Sequence, residues 1–245
     1  MERFFNTAGP NILEDNYTID PLTRFDLDDV LTLIRQKRYF VLHAPRQTGK
    51  TSCLLALRDY LNAKGDYICV YANVEGGQAA RDEVHSVIGA TCDIIASRAS
   101  SITGDDSPLA AREKVRSADK NSMLTLLLKE LSITLTKPLV LLLDEIDALV
   151  GDSLVSVLRQ IRAGYDDRPK SFPSSIVLCG VRDVRDYRIV QSNQDIITGG
   201  SAFNIKAKSL RLGNFSPDEV RELYMQHTRE TGQVFDEGCF PLVWE

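Results

Sequence analysis

The sequence predicts an α/β domain built on a parallel sheet with helices on both faces. Three observations predict it. Strand-like and helix-like segments alternate along the chain, the strands are continuous apolar runs of the kind buried on both faces, and one strand enters a helix through a loop carrying Gly-Lys-Thr. At 245 residues the chain has room for one such domain of roughly 200 residues and a small second element.

In order, Phe25 to Gln36 opens on acids and carries Leu27, Val30, Leu31 and Ile34 at helical spacing, so it reads as a helix feeding the first strand. That strand is Tyr39-Phe40-Val41-Leu42, and Thr51 to Leu61 returns to helical spacing with Cys53, Leu54, Leu57 and Leu61. Tyr67 to Asn73 is a second strand, and Asp82 to Arg98, with Val84, Val87, Ile88 and Ile95, a helix. Ser100 to Ser107 is polar with Gly104 and reads as a loop; Asp119 to Thr134 is a leucine-rich helix. Leu139 to Leu143 is an aliphatic strand that runs into Asp144-Glu145-Ile146-Asp147. Leu154, Val157, Leu158 and Ile161 mark the next helix, and Gly164 to Ser174 is a loop rich in Pro and charge. Ser175 to Val181 and Lys208 to Leu212 are the fourth and fifth strands. Ser216-Pro217-Asp218-Glu219 is a capping box with Pro at the first helical position, opening a helix with Val220, Leu223, Tyr224 and His227 that stops at Gly232.

The chemistry concentrates at two strand ends. After the first strand comes His43-Ala44-Pro45-Arg46-Gln47-Thr48-Gly49-Lys50-Thr51-Ser52, which meets the phosphate-loop pattern except that Ala44 stands where a glycine is usual. Residues 44 to 52 are therefore candidate nucleotide contacts. Backbone N–H groups at a helix N-terminus, together with the helix dipole, favour phosphate oxygens. Lys50 would reach the β- and γ-phosphates and the Thr51 hydroxyl would ligate Mg²⁺. Ala44 raises a question of turn geometry, since a β-carbon resists positive φ. Asp144, at the carboxyl end of the aliphatic strand, is the second candidate Mg²⁺ ligand. Glu145 follows it and is the candidate general base for an attacking water.

The pairing of Ala44 to Thr51 with Leu-Leu-Leu-Asp-Glu-Ile-Asp at 141–147 resembles the bacterial AAA-like ATPases of the STAND and archaeal-ATPase groups, where a Pro-Arg pair recurs inside the loop. Asn6-Thr7-Ala8-Gly9-Pro10 and Leu178-Cys179-Gly180-Val181-Arg182-Asp183-Val184-Arg185 resemble such proteins too, so the likeness spans nearly the whole chain. It implies a three-layer P-loop NTPase sandwich with strand order 5-1-4-3-2. That order sets the strand at 175–181 between the two motif strands and makes Arg182 a candidate γ-phosphate sensor. It implies an arginine finger from Arg159 or Arg162, with Arg46 as a further phosphate contact or seal. Tyr17 to Arg24 resembles the segment that packs on adenine, making Tyr17, Ile19, Pro21 and Arg24 candidates there. Residues 1–212 would form the core and 213–245 the beginning of a helical lid, continued in relatives.

Composition narrows the alternatives. A net charge of −5 with dispersed Lys and Arg gives no bulk basic field for nucleic acid. The five cysteines, at 53, 69, 92, 179 and 239, are scattered without metal-type pairs and read as reduced thiols of a cytoplasmic protein. The N-terminus lacks a signal-peptide h-region, and no apolar run approaches the ~20 residues that span a bilayer. The three histidines, 43, 85 and 227, stand apart and support neither a metal site nor a histidine-based hydrolase. A GTPase is disfavoured because there is no Asn-Lys-x-Asp guanine reader. The expectation is a Mg²⁺-dependent ATP-binding protein with slow hydrolysis, acting as a regulatory or signalling switch with an unidentified protein partner or a second copy; the alternative is a nucleotide-holding switch or scaffold with little turnover.

Overall fold

The computed structural model describes residues 3–7, 9–76, 83–183, 203–244 and the backbone of 188–190 and 196–198. Ala8, Asp82, Val184 and Arg185, which belong to segments singled out above, lie outside the described residues. The chain runs α1 (Leu27–Arg35), β1 (Tyr39–His43), α2 (Lys50–Lys64), β2 (Ile68–Asn73), α3 (Val84–Thr103), α4 (Ser107–Lys114) and α5 (Met123–Thr134). It continues through β3 (Leu139–Asp144), α6 (Gly151–Ala163), β4 (Ser175–Gly180), β5 (Arg188–Val190), β6 (Ile196–Thr198), β7 (Lys206–Arg211), α7 (Pro217–Thr231) and α8 (Cys239–Trp244). Short 3₁₀ turns at Pro21–Arg24, Ile146–Ala148 and Tyr165–Asp167 complete the connections.

The main sheet has the order β2-β3-β4-β1-β7, and all its pairings are parallel. With β5 and β6 forming a separate antiparallel pair, β7 is the fifth strand of the main sheet and the order is the expected 5-1-4-3-2.

Alternate residues of each strand enter different cores, as the pleat requires. Val41, Val70, Leu141 and Ile176 join α3, α5 and α6 on one face; Phe40, Leu42, Cys69, Leu142 and Val177 join α1 and α2 on the other. The continuous apolar runs are thus explained by burial on both sides. The β2 edge is blunted by α2. Asn62 donates from Nδ2 to the Cys69 carbonyl at 2.9 Å and accepts the Cys69 N–H on Oδ1 at 2.8 Å, occupying groups another strand would otherwise pair with.

Local chemistry sets the element ends, and some differ from expectation. Asp26 caps α1 by accepting the Asp29 N–H at 2.9 Å. The expected loop at 100–107 is instead the end of α3, stopped by left-handed Gly104, followed by the start of α4. α5 begins at Met123 rather than at Asp119, because Asp119 turns the chain by accepting the Asn121 N–H. A buried side chain from α6 serves the new start: Gln160 accepts the Leu124 N–H at 2.8 Å and donates to the Lys120 carbonyl at 2.7 Å. The β5–β6 pair and α8 were not anticipated.

Candidate functional site

The carboxyl ends of β1 and β3 bring the two motifs together, with β4 between them. The Ala44 N–H donates to the Gly180 carbonyl of β4 at 3.2 Å, so the loop leaves the sheet one residue past β1. Ala44 is fully buried and its φ is not positive; the left-handed positions are Gln47 (φ 61°) and Gly49 (φ 86°). The missing glycine therefore imposes no left-handed strain at position 44. The non-glycine strain of the loop sits at Gln47. Gly49 is the N-cap of α2 and has no side chain to occupy the helix N–H groups, which leaves them for an incoming anion. Thr48 braces the turn by donating its hydroxyl to the Pro45 carbonyl at 2.8 Å.

Lys50 opens α2 and is only 5% exposed. Its ammonium donates to the Ala44 and Pro45 carbonyls at 3.1 and 2.9 Å, which holds the charge inside the curve of the loop. One residue on, the Thr51 hydroxyl donates to Asp144 Oδ2 at 2.8 Å. Asp144 is fully buried, and its oxygens also accept the Tyr71 hydroxyl at 2.9 Å and the Glu145 N–H at 2.9 Å. Those donors make a buried carboxylate tolerable. Glu145 turns out of the strand with φ 57°, and burial, reinforced by the charges of Asp144 and Asp147, pushes its carboxyl above the usual range.

Lys50, Thr51 and Glu145 line a cavity of about 710 Å³ together with Arg46, Arg58 and Arg98, while Asp144 is buried behind Thr51 and is not itself on the wall. A second cavity of about 400 Å³ adjoins it, shares Gln47, Gly49 and Ser52, and is walled by Phe5, Tyr17, Ile19, Phe215 and Leu223. Tyr17 is held against α7: its hydroxyl donates to Glu230 at 3.1 Å, and its ring meets His227 edge-on. The backbone of Thr18 is held by Gln226 of the same helix.

Several residues expected at a nucleotide line neither cavity, Ala44, Pro45 and Thr48 of the loop among them. Pro21 lines neither cavity, and its carbonyl faces the Cys53 thiol at 3.3 Å. Arg24 likewise lines neither. Its guanidinium donates to the Gly213 carbonyl at 2.7 Å and the Thr48 carbonyl at 3.4 Å, stacks 3.6 Å from the Phe215 ring centre and approaches Glu219 at 3.9 Å. It is a brace between the phosphate-type loop and the base of α7. Arg182 is exposed in the bend after β4 and is not on either cavity wall; Arg159 and Arg162 are on the exposed side of α6. Sequence reasoning missed Tyr71, Asn73, Glu75, Arg58 and Arg98 on the first cavity wall. Their types and spacing carry no motif, and only the fold draws them to one place.

A family model described as an AAA domain matches residues 34–187, more than half of the chain, and its span includes both motif strands. The chain belongs to the AAA domain family. It is therefore an AAA-like P-loop ATPase domain by lineage, in agreement with the parallel sheet and the loop that leaves β1. No functionally curated protein matches the sequence. Among solved structures, the domain is similar to Cdc6p from Pyrobaculum aerophilum, with TM-score 0.54 and 19% identity over 85% of this chain and 48% of that one. It is also similar to a chain of the Drosophila ORC complex bound to poly(dA/dT) DNA and Cdc6, with TM-score 0.50 and 8% identity over 82% of this chain and 30% of that one. Both likenesses show the AAA fold. This chain spans about half or less of the length of these two structures.

The donor set fits a hard divalent cation. One hydroxyl and one carboxylate are the oxygen ligands that Mg²⁺ accepts when phosphate and water complete its shell. Among the described residues there is no cluster of three or more His, Cys, Asp or Glu side chains that would form an all-protein metal cage, and no helix is long and apolar enough to cross a membrane.

Proposed function

We propose that this AAA domain binds ATP with Mg²⁺, hydrolyses it slowly, and works as a regulatory switch. The observation that carries the reading is the 2.8 Å contact that ties Thr51, on the cavity wall beside Lys50, to the buried Asp144 carboxylate behind it. In this reading the N–H groups of α2 and the Lys50 ammonium bind the phosphates, and residues 44–52 wrap them. Thr51 and Asp144 hold Mg²⁺, which when bound neutralises charge on the β- and γ-phosphates. The second cavity takes the adenine, against Tyr17 and Ile19.

Glu145 is the general base. Its raised pKa suits a group that must accept a proton from water and release it again. The base acts only when ionised, so turnover falls as the pH drops through that raised value. The slow-hydrolysis reading is supported by Arg182, Arg159 and Arg162, the residues the family likeness offers as sensor and finger, all of which stand off the wall of the cavity, whose own arginines are Arg46, Arg58 and Arg98. The switch reading rests on Arg24, which ties the loop carbonyl of Thr48 to the Gly213 linker and so makes the loop and α7 one mechanical unit. Residues 213–245 begin the lid that moves with nucleotide state. The Pro45-Arg46 pair supports placement in the STAND or archaeal-ATPase groups, and the dispersed free cysteines support a reducing cytoplasm.

The test is Glu145→Gln. The variant should keep Mg²⁺-dependent ATP binding within about twofold and lose at least about tenfold in single-turnover hydrolysis, the usual scale of general-base removal. Normal hydrolysis by this variant would assign the base elsewhere.

A further inference from the structure

Tyr71 belongs to none of the sequence motifs, yet it holds the most buried acid of the site. It lies on β2 opposite Leu142 of β3, with Asn73 opposite Asp144 two residues further along. Period-two alternation puts Tyr71 and Asp144 on the same face of the sheet, the face covered by α2. From there the phenol reaches across one strand to Asp144 Oδ2 at 2.9 Å, the same oxygen that accepts the Thr51 hydroxyl at 2.8 Å. The other oxygen, Oδ1, accepts the Glu145 N–H at 2.9 Å.

An ionised carboxylate offers about four lone-pair directions. Thr51 and Tyr71 both donate to Oδ2, the Glu145 N–H donates to Oδ1, and the Cys179 thiol is a further hydrogen-bond partner, so the group is held in one orientation from several sides. Of the two hydroxyl donors on Oδ2, Thr51 is the one assigned to Mg²⁺, which leaves Tyr71 as the donor that keeps Oδ2 in place from the sheet. We propose that Tyr71 is a positioning residue that fixes the Asp144 carboxylate and thereby sets the Mg²⁺ requirement for nucleotide binding. The inference rests on the Mg²⁺–ATP reading above. It goes beyond that reading by assigning metal dependence to a residue on the neighbouring edge strand.

A packing-only role for Tyr71 makes a different prediction. Its ring sits in the same apolar cluster as Leu142 and Cys179, and Phe would fill that space equally well. Tyr71→Phe removes only the oxygen. The test uses a fluorescent ATP analogue titrated with Mg²⁺, and with EDTA in place of Mg²⁺, for the wild type and for Y71F with its folding checked by thermal melting. Positioning predicts unchanged affinity in EDTA and a rise of about tenfold in the Mg²⁺ concentration giving half of the metal's effect, the scale seen when an outer partner of a metal ligand is lost. It also predicts that adding Y71F to Asp144→Asn changes nothing further, because Tyr71 acts through that carboxylate.

Three outcomes overturn the inference. An unchanged or lowered Mg²⁺ requirement in Y71F makes the phenol a packing group. Equal weakening with and without metal makes it a cavity wall. Additivity with Asp144→Asn means that it acts independently of the carboxylate. Wild-type protein that binds the analogue with no metal dependence removes the parent reading as well, which sets that failure apart from the other three.

Discussion

Ala44 shows how a sequence departure can be harmless. A phosphate loop is recognised by its glycines because they permit positive φ or close backbone approach. Here the positive φ values fall on Gln47 and Gly49, while Ala44 is fully buried at the end of the β1–β4 ladder with its methyl in the core beneath α2. Restoring the usual residue should therefore bring no benefit. Ala44→Gly is expected to leave ATP affinity within about twofold and to lower stability by about 1 kcal/mol, from lost apolar contact and a freer unfolded chain. Paired denaturant unfolding and ATP titration check this; a gain in affinity would show that the methyl does obstruct the site. Asp144 and Glu145 were legible because acids terminating a buried aliphatic strand have few structural uses. Tyr71 was not legible, since a tyrosine inside a strand looks like core until the register sets it beside Leu142, two residues short of Asp144 on the neighbouring strand.

The elements that sequence revealed best are those whose ends carry their own chemistry. The capping box at Ser216 and Glu219 starts α7, and left-handed Gly232 ends it. α4 was hidden because its polar Ser and Asp neighbours favour turns as readily as helix starts, and α5 was set too early because its start is capped from α6 by Gln160, a partner distant in sequence. Arg24 belongs at this scale as well. The adenine-packing role suggested by its segment gives way to a brace across three elements, with its side chain only 4% exposed. Removing it should loosen α7 from the loop. Arg24→Ala is expected to cost about 1–2 kcal/mol, from a charge-assisted hydrogen bond and a cation–π stack, or about 4 °C in melting temperature. The shift should be larger with ATP present, because nucleotide binding then recruits the loop without its tie to α7. A melting temperature unchanged in both conditions would mean that the brace is slack.

For the whole molecule, strand alternation predicted the sheet class, whereas the order 5-1-4-3-2 needed the likeness to AAA-like ATPases. Pattern identifies a buried strand but does not say which strand lies beside it. The order matters because it sets β4 between the two motif strands and lets α2, reaching over the sheet, bring Thr51 onto Asp144. It places the cavity at the carboxyl ends of the strands, where open α/β sheets hold ligands. The β5–β6 pair between β4 and β7 leaves this order intact. In the proposed function this arrangement binds ATP through the loop and Lys50. Binding of labelled ATP to purified protein, wild type against Lys50→Ala with both shown to be folded, tests it most directly. The variant should lose at least about tenfold in affinity, the scale of a charge-assisted contact to phosphate; equal binding by the two proteins would mean that Lys50 does not hold the phosphates.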